Sequence, residues 1–244
     1  MIGQKSFIGS ILIALLAGLV GCRPGAPESS SAAMAFSADQ ALATAAPTRP
    51  KIIANPTMSD LMQAGPLGER TMGRADAPVT VIEYASLTCP YCRAFHERTW
   101  PTFKRTYIDT GKVHFILREF PIGRSSGNAW LATRCAPEDK FFELYEDYLK
   151  SQHQWVSQDV RLDAIYRVAQ KAGMSRATFD SCLTNQKIID GIKWSKQRGR
   201  QLGVVGTPTF FINEKKVPSI VTMDEMRALI DPLFKARVAA DSGS

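Results

Sequence analysis

At 244 residues, 45% apolar and 22% charged, the chain has the balance of an ordinary soluble globular protein, with length for one core of fewer than about 200 residues plus appendages. Its net charge of +7 is modest, its basic residues are scattered, and no nucleic-acid motif accompanies them, so nucleic acid is not an expected partner. No cofactor is expected either: Trp100, Trp130, Trp155 and Trp194 read as core or groove packing.

The first element is a targeting segment. Lys5 gives a short positive start, and Phe7 to Val20 is an apolar run shorter than the roughly twenty residues of a membrane span. It ends in Leu19-Val20-Gly21-Cys22, which looks like a bacterial lipobox. Thioether formation with lipid demands a thiol there, and small residues before it suit a peptidase. Residues 1–22 therefore read as a signal peptide whose Cys22 takes lipid and tethers the mature chain to a membrane, in the periplasm. Cleavage after Ala35 or Ala43 is the alternative, at sites far from the apolar run. Residues 23–54 are mostly Ala, Ser and Pro and cannot bury enough surface to order themselves. About thirty such residues span roughly 30 Å root-mean-square.

The folded part begins at about residue 55, with a short helix expected around Asp60-Leu-Met-Gln-Ala64. Val79–Ala85 β-branches and alternates like a strand. In its middle stands Glu83, sharing a face with Val79 and Val81; buried without a partner it would be costly, and an exposed sheet face is the alternative. Then come Cys89-Pro90-Tyr91-Cys92 and a helix from Cys92 to about Ile108, with Phe95, Trp100 and Phe103 at helical spacings. A dithiol on a strand-to-helix turn puts its first sulfur at a helix N-terminus, where unpaired N–H groups and the dipole favour a thiolate. The same spacing serves zinc, but a structural zinc site wants four ligands, and Cys22, Cys135 and Cys182 supply no second such pair, so no metal is expected. His96, one turn beyond Cys92, reads as a partly exposed helix histidine. A second strand covers Lys112–Phe120 and completes a first segment, 55–124.

Residues 125–201 read as helical, including Asn128–Leu149 and Ser175–Trp194. Within them lie Cys135 and Cys182. Four cysteines besides Cys22 allow three pairings; Cys89–Cys92 pairs on motif grounds, which leaves Cys135–Cys182 as a staple between helices, or else as a redox relay or two free thiols. Lys193, Lys196, Arg198 and Arg200 read as a solvated helix face. The segment 202–240 holds Gly203-Val-Val-Gly-Thr-Pro-Thr-Phe-Phe-Ile-Asn213, in which Pro208 heads a strand, Thr209–Ile212, paired with Lys215–Val217. The turn Asn213-Glu214 lacks the usual Asn-Gly, so either the loop lengthens to include Lys215 or Glu214 is strained. Thr222-Met-Asp-Glu225 is a capping box for a last helix from Met223 to about Val238, before a tail, 241–244.

The stretch from Met72 to His96 resembles the active-site block of DsbA-type bacterial thiol:disulfide oxidoreductases, and Gly206-Thr-Pro-Thr-Phe-Phe-Ile-Asn213 resembles their cis-proline block. The resemblance runs from about Gly68 to about Phe234. It implies an α/β chain: a thioredoxin fold with an inserted α-helical domain. It implies a cis Pro208 beside the sulfurs, with Thr207 and Pro208 holding an extended substrate and Tyr91 beside them. It implies a buried acid, Glu83, that relays the proton of Cys92, and it allows a second bridge at Cys135–Cys182. The implied substrates are unfolded or reduced exported proteins, and the implied electron acceptor is a DsbB-like, quinone-coupled membrane oxidase. The chain departs from the pattern at Pro-Tyr, where DsbA usually has Pro-His; this dipeptide and Thr207 also resemble DsbG and glutaredoxins. A DsbG-like reductase or isomerase therefore stays open, as does a metal-handling dithiol.

Overall fold

The computed structural model describes residues 51–219 and 222–242; the expected signal peptide, Cys22 and residues 23–50 of the expected tether lie outside the described residues. The end of that expected tether is not loose, since Ile53 packs on the core and donates its N–H to Gln201 O at 2.7 Å. Strands β2 (Val79–Ala85) and β3 (Val113–Glu119) are buried along almost their whole length, as befits parallel neighbours covered on both faces. They pair with Val81 opposite Phe115 and Glu83 opposite Leu117. β4 (Thr209–Ile212) runs antiparallel on the other side of β2, with Phe210 opposite Glu83. β5 (Lys215–Pro218) closes one edge and β1 (Arg70–Met72) the other, giving the order β1-β3-β2-β4-β5. β1 has no counterpart in the sequence reading, because three residues are too few to display a period of two.

Each face of the sheet has its own apolar layer. Val81, Phe115, Leu117 and Phe210 pack with the active-site helix and the helical insertion, while Ile82, Tyr84, Ile116 and Phe211 pack with Leu61, Leu202 and Val204. Alternation puts Glu83 with the first group, so its face of the sheet is covered, not exposed.

The helices are more broken than their sequence periodicity suggests. The short helix expected at 60–64 is α1 (Met58–Leu61), started earlier by the Thr57 cap. The expected helix over 92–108 is α2 (Pro90–Arg98), then α3 (Trp100–Phe103), then a π-turn over Lys104–Ile108; Pro101 lies inside the first turn of α3, where its missing N–H costs no bond. The insertion holds α4 (Gly123–Cys135), α5 (Phe141–Lys150), α6 (Gln152–Trp155), α7 (Leu162–Lys171), α8 (Arg176–Leu183) and α9 (Gln186–Gln201). Pro137 separates α4 from α5 by holding Ala136 in extended backbone. Ser175 and Asn185 cap α8 and α9 separately, accepting from Thr178 N and Ile188 N respectively. α10 (Met223–Ser242) starts at the expected box, Thr222 Oγ1 accepting from Glu225 N at 3.3 Å and Glu225 Oε2 from Thr222 N at 3.2 Å.

Two local readings need correction. The β4–β5 loop is just Asn213-Glu214, with Ile212 opposite Lys215. The positive φ, 49°, falls on Asn213, a residue that tolerates it, so neither a longer loop nor strain at Glu214 is required. The basic cluster is not all solvated: Lys196 Nζ donates to Pro121 O at 2.6 Å and Arg198 donates to Asp60 O at 2.8 Å, whereas Lys193 pairs with exposed Asp190.

Cys135, the last residue of α4, is bonded to Cys182 in α8 across 47 residues of sequence. Closing a loop of that length in the unfolded chain corresponds to about 4 kcal/mol in the chain-entropy treatment. The double substitution Cys135→Ser/Cys182→Ser is expected to lower unfolding free energy by up to about 4 kcal/mol in urea, with thiol-exchange rates at Cys89 unchanged.

Candidate active site

β2 ends at Ala85, and a three-residue turn delivers Cys89 as the N-cap of α2, in extended backbone (φ −79°, ψ 122°) with Pro90 in the first turn. The turn is pinned from the insertion. The Ser86 hydroxyl lies 2.9 Å from that of Ser126 and accepts from Ile122 N at 3.1 Å, while Ser126 Oγ accepts from Leu87 N at 3.1 Å. Buried Gln152 of α6 donates to two carbonyls of the turn, Leu87 O at 2.8 Å and Cys89 O at 3.0 Å. Neither Ser126 nor Gln152 was marked by the sequence, since no local spacing links them to Cys89.

From the far side comes the loop before β4. The Thr207–Pro208 peptide bond is cis, and the Thr207 carbonyl accepts from Cys89 Sγ at 3.0 Å. Both cysteines stand as thiols. Their acidities move in opposite directions. Cys89 is lowered from 9.0 to about 6, first by the hydrogen bond from the Cys92 thiol; burial opposes this, and the Thr207 side chain and the N–H groups of Cys92 and Tyr91 add to the lowering. In the thiol form Cys89 donates to the Thr207 carbonyl; once ionised it can accept from the Thr207 hydroxyl, which no other group engages. Cys92, fully buried, is pushed well above its ordinary value by desolvation first, then by its bond to Cys89 and by the charge of Glu83.

Beneath the dithiol, Glu83 and His96 are both buried, with Glu83 Oε2 and His96 Nε2 3.0 Å apart. The Tyr145 hydroxyl of α5 lies 3.2 Å from the same nitrogen. His96 is therefore not the partly exposed helix histidine that its spacing suggested: α5 packs over that face of α2, and the ring sits edge-on to Tyr145, with centroids 4.9 Å apart.

Tyr91 is 61% exposed and touches the acidity of Cys89 through its N–H, not its ring. Cys135 and Cys182 belong to the insertion staple, and Cys22 lies outside the described residues. Among the described residues no group of three His, Cys, Asp or Glu side chains could hold a metal ion.

Cys89 is expected to titrate with a midpoint near 6 by thiolate absorbance of the reduced protein, and the midpoint is expected to rise in Cys92→Ala, which removes the largest lowering contact. Because the folded value lies below the unfolded one, the dithiol form gains stability as pH rises from about 6 to about 9 and loses it as pH falls through about 6. Urea unfolding of reduced wild type against Cys89→Ser is expected to show that gain in wild type alone.

A family model described as thioredoxin matches residues 67–232. A Rickettsia bellii protein provisionally named a protein-disulfide oxidoreductase is 30% identical over 147 residues, 59% of this chain and 57% of that protein. The match spans little more than half the length of the Rickettsia relatives. Disulfide bond formation protein D of Bacillus subtilis is 24% identical over 178 residues, 70% of this chain and 79% of that protein. The crystal structure of Wolbachia pipientis alpha-DsbA1 superposes with a TM-score of 0.69 at 28% identity, covering 75% of this chain and 98% of that one. BdbD of Bacillus subtilis shares the fold at a TM-score of 0.64 and 21% identity, over 76% and 99% of the two chains. With its sheet order, its dithiol at the start of α2 and its matched span all in agreement, the chain belongs to the thioredoxin family, with a helical insertion between β3 and β4.

Proposed function

We propose that this chain is a thiol:disulfide oxidoreductase that introduces disulfides into exported proteins through Cys89 and Cys92. The observation that carries the reading is the split between the two sulfurs: Cys89 is acidified to about 6 at the start of α2 while Cys92, one turn deeper, is driven the other way. A thiolate is both the attacking species and the better leaving group in exchange. The names of the relatives in Rickettsia and Bacillus support the same chemistry.

In the oxidised enzyme a substrate thiolate attacks Cys89 sulfur, the Cys89–Cys92 bond breaks, and Cys92 leaves with the electron pair. A second substrate thiol then attacks the substrate sulfur of the mixed disulfide, and Cys89 departs as a stable thiolate. The substrate is oxidised by two electrons and the enzyme is left as the dithiol. Thr207 and Pro208 hold the substrate strand beside Cys89, and exposed Tyr91 offers it an apolar ring. Glu83 exchanges the proton of Cys92. A quinone-coupled membrane oxidase of the DsbB type restores the disulfide. The lipobox at Cys22 supports a periplasmic, membrane-tethered location, and the bonded Cys135–Cys182 pair suits an oxidising compartment.

A second reading, a reductase or isomerase of the DsbG kind, is favoured by one observation: Tyr91 points its ring at solvent and lends Cys89 no side-chain hydrogen bond. An acidity near 6 falls between about 3.5 for DsbA and about 7 for thioredoxin. Equilibration of Cys89/Cys92 with glutathione buffers is expected to give a potential between about −120 mV, the strong oxidant, and about −270 mV, the reductant. A value at the reducing limit would transfer the assignment to the second reading, and undiminished oxidation of reduced peptides by Cys89→Ser would remove both. Labelled palmitate is expected on wild type and absent from Cys22→Ala.

A further inference from the structure

Glu83 and His96 face each other under the active-site helix, 0% and 3% exposed. One imidazole nitrogen carries both polar contacts of the ring: Nε2 lies 3.0 Å from Glu83 Oε2 on β2 and 3.2 Å from the Tyr145 hydroxyl on α5. The other atoms of the pair, Glu83 Oε1 and His96 Nδ1, have no hydrogen-bond partner among the described residues. Phe95, Trp100 and Tyr145 wall the imidazole in, with ring centroids at 5.2, 4.9 and 4.9 Å. The titratable groups that act electrostatically at this spot include Glu83 on β2, Cys89 and Cys92 at the start of α2, and Tyr145 and Glu146 on α5. Glu146 is reached through Trp100, whose Nε1 donates to it at 3.0 Å.

A single ring nitrogen either carries a proton or presents a lone pair. With the proton, Nε2 donates to an ionised Glu83, and the Tyr145 oxygen accepts a share. Without it, Nε2 accepts from Tyr145, and Glu83 must itself be protonated, or two acceptors would face each other at 3.0 Å. Burial first, then the charge of Glu83, keeps Tyr145 a phenol, so the tyrosine does not take the proton. The tautomer of His96 is therefore tied to the state of Glu83: Nε2–H favours the carboxylate, and a bare Nε2 favours the acid.

We propose that His96 is a positioning residue for the Cys92 half of the exchange: its Nε2–H holds the buried Glu83 carboxylate ionised and aimed, ready to take the proton of Cys92. The proposal rests on the reading of Glu83 as that acceptor. Cys92 S–H gives its proton to Glu83 and becomes a thiolate. The thiolate attacks Cys89 sulfur in the mixed disulfide, the Cys89–Cys92 bond forms, the Cys89–substrate bond breaks, and the substrate leaves as a thiolate with the electron pair. The proton is then carried by the Glu83 carboxyl group, whose Oε1 has no other hydrogen-bond partner among the described residues, while Nε2–H keeps its contact with Oε2, so with a neutral imidazole the pair ends uncharged. Without the imidazole donor the buried carboxylate loses the hydrogen bond that favours its ionised form and aims it.

Single-turnover release of a peptide from its mixed disulfide with Cys89 tests this, followed against pH in wild type, Glu83→Gln, His96→Leu and His96→Gln. In His96→Leu the midpoint is expected to rise by about one pH unit, a loss of about tenfold below it. His96→Gln, whose amide donates but does not titrate, is expected to restore most of that loss, and Glu83→Gln/His96→Leu to match Glu83→Gln alone. A His96→Leu profile that superimposes on wild type while Glu83→Gln is slow overturns the role of His96 and leaves that of Glu83. Wild-type rates in Glu83→Gln overturn both. Should His96→Leu not fold, nitrogen-15 NMR of the wild-type dithiol protein, with three histidines to assign, decides: a protonated Nε2 on His96 near neutral pH is expected, and a bare Nε2 there overturns the proposal.

Discussion

The sulfur of Cys89 is held between the first turn of α2 and the carbonyl of Thr207, 3.0 Å away, and the chemistry of the site depends on that confinement. Burial by itself raises the pKa of any thiol. At Cys89 a set of donors outweighs it: the Cys92 thiol, the Thr207 side chain and two backbone N–H groups. At Cys92 burial is complete, and nearby negative groups reinforce it. Two identical side chains three residues apart thus acquire unequal acidities, chiefly because the Cys92 thiol donates to Cys89 and because Cys92 is the more deeply buried, with the N–H groups of the helix start adding to the difference.

The sheet supplies the other half of the site. Glu83 lies between Leu117 and Phe210 in the middle of a covered face, where an ionised carboxylate without a partner would cost several kcal/mol. His96 reaches it from α2, and Tyr145 reaches His96 from α5. The acid is tolerable in that layer because the active-site helix and the insertion both close over it.

Much of this could be read from adjacent residues. The dithiol at a helix start and the cis bond between Thr207 and Pro208 are placements written in short motifs, and the strands around them show their β-branched runs. What escaped depends on packing between segments distant in sequence. His96 was misread because helical spacing names a face without saying what covers it. Ser126 and Gln152 are ordinary polar residues until α4 and α6 bring them against the turn before Cys89. Strand β1 is too short to show a pattern, and the helices of the insertion are shorter than their hydrophobic period implies because Pro137 and the Asn185 cap act on backbone geometry.

Gln152 links the insertion to the reactive turn with both hydrogens of one amide, on the carbonyls of Leu87 and Cys89. The helical module is consequently more than a lid grafted onto an independent redox unit. Exchanging it between homologues would disturb the turn before Cys89 as well, unless the chimera keeps both Gln152 and Ser126. Those two side chains of the insertion tie the parts together at that turn.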